Sequence, residues 1–236
     1  MKALAEVLIH KEETASTNDD LKVLAAAGDA VEGTVVMAER QTAGRGRKGA
    51  EWFHAEGAGL AFSVLVEPRW SKERWGWVSL AAGLAVAEAL ETFGFAPEIK
   101  WPNDVWLGGK KCCGILVEAP GEQVVVGVGL NVNGVEFPKG LEATSLEGEA
   151  GVPMNRDRVL EAVWRRLLDV MGRTPEAIAE EVWSRLAWRE VDVEVRMDGE
   201  LRRGRIRAFG ANGELWVDSD GALLVISEAG SVRAAE

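Results

Sequence analysis

The chain has 236 residues, 47% hydrophobic and 28% charged, a balance that suits a soluble globular protein with a sizeable core and argues against disorder. Its 27 basic and 38 acidic residues leave −11 at pH 7, which argues against broad electrostatic binding to nucleic acid or to an anionic membrane surface. No stretch approaches the roughly 20 apolar residues of a membrane span. Met1–His10 is too short and too charged for a signal peptide. The adjacent Cys112 and Cys113 are poorly placed to bridge each other or to cage a metal, so a reducing cytoplasm is expected.

In chain order, Ala3–Ile9 reads as a strand, and Ser16-Thr17-Asn18 offers three N-cap residue types before a helix over Asp19–Ala27. Thr34–Ala38 is a short buried strand, Arg40–Ala50 a glycine-rich loop and Leu60–Val66 another strand. Apolar residues at helical spacing predict a long core helix over Val78–Phe93. Strands follow at Glu98–Trp101, Val105–Leu107, Gly114–Glu118 and Val124–Val132, with turns at Gly108-Gly109 and Pro120-Gly121. Val159, Val163, Leu167 and Met171 form one stripe of a helix over Arg156–Met171, and Pro175 opens the next helix. After Trp188 the period changes to two, with turn dipeptides Asp198-Gly199, Asn212-Gly213 and Asp220-Gly221. Four or five short strands there predict a small β-barrel or sandwich beyond a boundary near Ala187–Glu190. The whole is an α+β chain, residues 1–188 and 189–236.

Four segments are candidates for chemistry. In Gly44-Arg45-Gly46-Arg47-Lys48-Gly49, glycines let the backbone approach a ligand, and the spaced arginines present bidentate donors to carboxylate or phosphate. Trp52, five residues after Arg47, adds a flat face for a heterocycle. Taken alone, the loop reads equally as an ordinary basic turn. Lys100-Trp101-Pro102-Asn103-Asp104 ends a predicted strand, where the plain alternative is a solvated salt bridge on a turn. Lys111, at the mouth of the strand Gly114–Glu118, can set its ammonium over a developing negative charge or be a solvated hairpin lysine. In Gly127-Val128-Gly129-Leu130-Asn131 the missing side chains mark either a bulge or room for a ligand.

In this order and spacing, the parts resemble the biotin–protein ligases. The match runs through S-T-N at Ser16, Q-x-x-G-R-G-R from Gln41 with Trp52 beyond it, K-W-P-N-D from Lys100, K-x-x-G-I-L-V-E from Lys111 and G-x-G-x-N from Gly127. Each block is weak alone, whereas five in order are specific. The resemblance implies a mixed β-sheet with helices, like class II aminoacyl-tRNA synthetases, followed by a small C-terminal SH3-like β-barrel. It also implies an enzyme that uses ATP and Mg²⁺ to activate biotin as biotinyl-AMP and transfers it to a lysine of a biotin carboxyl carrier protein of acetyl-CoA carboxylase.

Carried over by position, the resemblance sets Ser16, Thr17, Asn18 and Gln41 around the biotin ureido ring, completed by backbone near Gly114 and Gly127. Gly44, Arg45, Gly46 and Arg47 lie on a loop over biotin and the adenylate, with Arg47 nearest the reacting phosphate. Trp52 stacks on adenine, and Asn103 and Asn131 contact the nucleotide. Lys111 reaches the biotin carboxylate and the phosphate. Lys100 and Asp104 are further charged members, Asp104 being the candidate for Mg²⁺ or for orienting the incoming lysine. Cys112-Cys113 replaces a small aliphatic pair and is expected to be inert. Few residues precede Ser16, so the helix-turn-helix domain of some relatives, and DNA binding by that route, are expected to be absent. A homodimer through exposed sheet edges fits by analogy. The competing readings are a lipoate–protein ligase and a non-catalytic biotin or biotinyl-AMP binding module.

Overall fold

The structure, a computed structural model, describes residues 7–50, 52, 57–134, 136–197, 199–227 and 231–235. Seven strands form one sheet: β1 (Leu8–Thr14), β2 (Val35–Gln41), β3 (Leu60–Val66), β4 (Glu98–Lys100), β5 (Asp104–Leu107), β6 (Lys110–Glu118) and β7 (Val124–Leu130). Their spatial order is β1-β2-β3-β7-β6-β5-β4, with β1 and β2 parallel and every other pair antiparallel. The first strand runs later in the chain than its sequence suggests, and residues 3–6 of that expectation lie outside the described residues.

Two helix layers cover the sheet unequally. On one face, α1 (Thr17–Ala27) packs across β2, β3 and β7, sealing a small cluster of Leu21, Val36, Leu65 and Val125. The other face carries α2 (Trp77–Glu91), which is buried nearly all round because its residues are apolar on every side. A short helix, α3 (Leu146–Ala150), was not expected; it is capped by Ser145, whose hydroxyl accepts from Gly148 N at 3.0 Å. Beyond it, α4 (Arg156–Met171) has the expected bounds and α5 (Pro175–Ser184) opens at Pro175 as expected; Asn155 caps the first by accepting from Arg158 N and Thr174 the second by accepting from Ala177 N.

The C-terminal strands β8 (Asp192–Met197), β9 (Glu200–Phe209), β10 (Leu215–Ser219), β11 (Ala222–Ile226) and β12 (Ser231–Ala234) form a second, wholly antiparallel sheet in the order β11-β10-β9-β8-β12. Among the described residues β11 and β12 are its two edges, so the sheet is open. It docks through its Asn212 turn. Trp77 Nε1 donates to Ala211 O at 2.8 Å and Trp101 Nε1 to Gly213 O at 3.0 Å, while Phe209 packs edge-on to Trp77 and Trp183. The seam is tight at Gly76, where a Cβ would sit 2.1 Å from the Asn212 carbonyl oxygen. A backbone atom cannot swing aside, so Gly76→Ala should lower stability by about 1–3 kcal/mol. A urea midpoint equal to that of the unaltered protein would contradict this packing.

Candidate functional site

On the sheet face beneath α1, glycines stand where side chains would otherwise fill the space near the helix's N-terminus. Gly127 opposes Ser63 on β3, and Gly114 on β6 opposes Gly129 on β7. A cavity of about 220 Å³ opens above these glycines, lined at one end by Ser16, Thr17, Asn18 and Gln41 and at the other by Arg45, Arg47, Asp104 and Lys111.

The first end is a preset hydrogen-bond cluster. Ser16, Thr17 and Asn18 are buried at the start of α1. Gln41 Oε1 accepts from Thr17 N at 2.9 Å and from Thr17 Oγ1 at 3.2 Å. Ser63 Oγ lies 2.7 Å from Thr17 Oγ1 and donates to Asn18 Oδ1 at 2.6 Å. Asn18 Nδ2 donates to Glu118 Oε2 at 2.7 Å, and Glu118 also takes Lys22 at 2.9 Å. Burial works to raise the Glu118 pKa, yet the hydrogen bonds from Lys22 and Asn18 outweigh it and hold the carboxyl below its usual range. Asn18 is therefore held on both sides, and Gly127 leaves it room: a Cβ there would stand 2.3 Å from Asn18 Oδ1.

The other end is cationic. Lys111 Nζ pairs with Asp104 Oδ1 at 2.7 Å and lies 5.4 Å from the Trp52 ring centroid. Its backbone is clamped on both sides, N–H to Glu142 O and C=O from Thr144 N, so the side chain leaves from a fixed point. Arg45 reaches back to both Asp19 oxygens at 2.8 Å. Arg47 opens a short 3-10 turn, Arg47–Gly49, whose Lys48 (φ 55) and Gly49 (φ 74) are left-handed. Trp52 lies against the paired Gly114 and Gly129, where added Cβ atoms would come within 2.8 and 2.3 Å of its indole, and its buried Nε1 has no partner among the described residues.

Of the residues expected from sequence, the cavity wall gathers Ser16, Thr17, Asn18, Gln41, Arg45, Gly46, Arg47, Trp52, Asn103, Asp104, Lys111, Gly114 and Gly127. Gly44 sits behind it, close enough to Gln41 that a Cβ would touch Nε2 at 3.1 Å. Asn131 Nδ2 donates to Thr144 O at 3.0 Å, outside the wall. Lys100 is also outside, its ammonium 4.6 Å from the Trp106 ring and 5.3 Å from that of Trp188; burial lowers its pKa against the pull of Asp104. Sequence reasoning missed Ser63, Glu118 and Leu116, whose side chain alternates onto the same face of β6 as Gly114 and Glu118. The signal for Ser63 is a lone hydroxyl inside the buried run Leu60–Val66. Cys112 and Cys113 are fully buried, and burial pushes both thiols far up, as inert packing requires. Among the described residues no helix is long and apolar enough to cross a membrane, and no three acidic, His or Cys side chains cluster as a metal site.

The arrangement can hold a compact molecule with an amide-like polar head, an apolar middle and an anionic end. A profile described as the Biotin/lipoate A/B protein ligase family matches residues 12–133. The Biotin--[acetyl-CoA-carboxylase] ligase of Mycobacterium tuberculosis is 37% identical over 229 residues, 91% of this chain and 84% of that protein. The bifunctional ligase/repressor BirA of Bacillus subtilis is 32% identical over 245 residues, 97% of this chain and 72% of that one. The structure is similar to that of a biotin protein ligase from Aquifex aeolicus in complex with biotin and ATP, with a TM-score of 0.86, 29% identity, and coverage of 98% of this chain and 100% of that one.

Proposed function

The chain belongs to the biotin/lipoate A/B protein ligase family, and from that premise we propose that it is a biotin–protein ligase, which activates biotin with ATP and transfers it to a lysine of a biotin carboxyl carrier protein. The observation that carries the choice is the two-ended cavity, with a hydroxyl and amide cluster at one end and cations at the other. A ureido ring presents N–H donors and a carbonyl acceptor to Ser16, Thr17, Asn18 and Gln41. Lipoate's dithiolane offers this polar cluster no comparable donors or acceptor, which a site built for hydrogen bonding disfavours.

In the first step a biotin carboxylate oxygen attacks the α-phosphorus of ATP and pyrophosphate leaves. Anions must be brought together for this, and Lys111 and Arg47 supply the screening charge. Asp104 aims Lys111 through their ion pair. The indole of Trp52, on the same cavity wall as Asn103, is the surface offered to adenine. In the second step the acceptor's amine attacks the carbonyl of the mixed anhydride and AMP leaves. Mg²⁺ would accompany the nucleotide's phosphates, which commonly leaves only one or two protein carboxylates to hold it; Asp104, on the cavity wall, would be that carboxylate. We assign residues 189–236 to a separate SH3-like domain. The return of β12 beside β8 and the shared apolar face of Val193, Val195, Ile206, Val217 and Ile226 support that reading.

Arg47 belongs to a loop of glycines and left-handed residues that borders the cavity, so we assign it containment of the adenylate. Arg47→Gly should release biotinyl-AMP and label bystander lysines, and labelling still confined to the carrier would remove the loop's role. ATP–pyrophosphate exchange tests the substrate itself. Exchange that depends on biotin and not on lipoate is expected, and the reverse preference would overturn the reading.

A further inference from the structure

Lys100 and Asp104 are direct cross-strand partners at the base of the hairpin Trp101-Pro102-Asn103, where opposite charges ordinarily pair. They do not. Among the described residues Asp104 pairs with Lys111, while the Lys100 ammonium lies over two indoles, Trp106 at 4.6 Å and Trp188 at 5.3 Å. The two rings meet edge to face, 5.3 Å between centroids and 89° between planes, so they form two walls of one box. Trp106 comes from β5, but Trp188 comes from the junction before the C-terminal sheet. That junction is pinned to β4, with Ile99 N donating to Arg185 O at 2.8 Å and Ala187 N to Ile99 O at 2.9 Å. Trp188 itself is left-handed, φ 61, a strained conformation for a bulky residue that needs a reason to persist.

We propose that Trp106 and Trp188 are positioning residues, an aromatic box that holds Lys100 away from Asp104 and so reserves the Asp104 carboxylate for Lys111. The strain at Trp188 turns the indole back over Lys100, and cation–π attraction competes with the ion pair for the ammonium. With one wall lost, Lys100 collapses onto Asp104, and Lys111 loses the contact that aims it into the cavity. The C-terminal junction thereby sets the geometry of the cationic end without touching the substrates.

This rests on the ligase reading, and the test separates the two. Biotin-dependent ATP–pyrophosphate exchange is measured on the full chain, with the unaltered protein as control; if that control shows no exchange, the ligase reading fails first. Trp188→Leu should slow kcat about tenfold with the KM for biotin unchanged, and Trp188→Phe, which keeps a ring face, should stay within about twofold. In a Lys100→Met background Trp188→Leu should cost nothing further, because nothing remains to hold back. A purely packing role predicts the same tenfold loss in both backgrounds, and that result, or full activity of Trp188→Leu, overturns the proposal. Trp106→Leu, which removes the other wall, runs through the same cycle and decides the matter if Trp188→Leu does not fold.

Discussion

Lys111→Ala is expected to slow biotin-dependent pyrophosphate exchange on the order of 10²-fold, the scale of removing one preorganised donor from a developing charge. The fold should be untouched. The backbone of residue 111 is held by Glu142 and Thr144 whatever its side chain, and the lost ion pair with Asp104 is partly exposed, with side-chain exposures of 32% and 18%. Such pairs contribute little to stability. The substitution therefore separates chemistry from folding: a large fall in kcat with an unchanged thermal midpoint. Unimpaired exchange would remove Lys111 from its assigned role.

Gly127→Ala should weaken biotin binding by about ten- to a hundredfold, from the roughly 1–3 kcal/mol cost of overpacking. The added methyl would lie 2.3 Å from Asn18 Oδ1, and Asn18 cannot retreat because Ser63 and Glu118 hold it from both sides. The strain passes to Thr17 and Gln41 through Ser63, which also bonds Thr17. Gly121→Ala, with nothing within 4 Å of its added Cβ, is the control for an alanine on an exposed turn. Calorimetric affinity for biotin equal to that of the unaltered protein would mean that the Asn18 cluster does not bind the head group.

The elements were readable because their local signals agree with the packing. Leu60–Val66 and Arg156–Met171 have the predicted bounds, since continuous burial and an apolar stripe are written in consecutive residues. Most of the candidate site was readable too, as motif residues on loops and strand ends that the fold brings onto one cavity wall. The rest depends on contacts distant in sequence. Ser63 acquires its role from α1, 46 residues earlier, and Glu118 acquires its own from Asn18, 100 residues earlier. The left-handed turn of Trp188 leaves no trace in its neighbours, so the box around Lys100 exists only in three dimensions. The short α3 and the docking of the Asn212 turn escaped for the same reason: a five-residue helix has too little periodicity, and Trp77 and Trp101 find their carbonyl partners more than a hundred residues away.

The most direct measurement is the intact mass of a biotin carboxyl carrier domain after incubation with the purified chain, biotin, ATP and Mg²⁺. The expected result is a gain of one biotinyl group on a single lysine, abolished by leaving out ATP or biotin. An unchanged carrier mass under these conditions, or a gain only when lipoate replaces biotin, would contradict it.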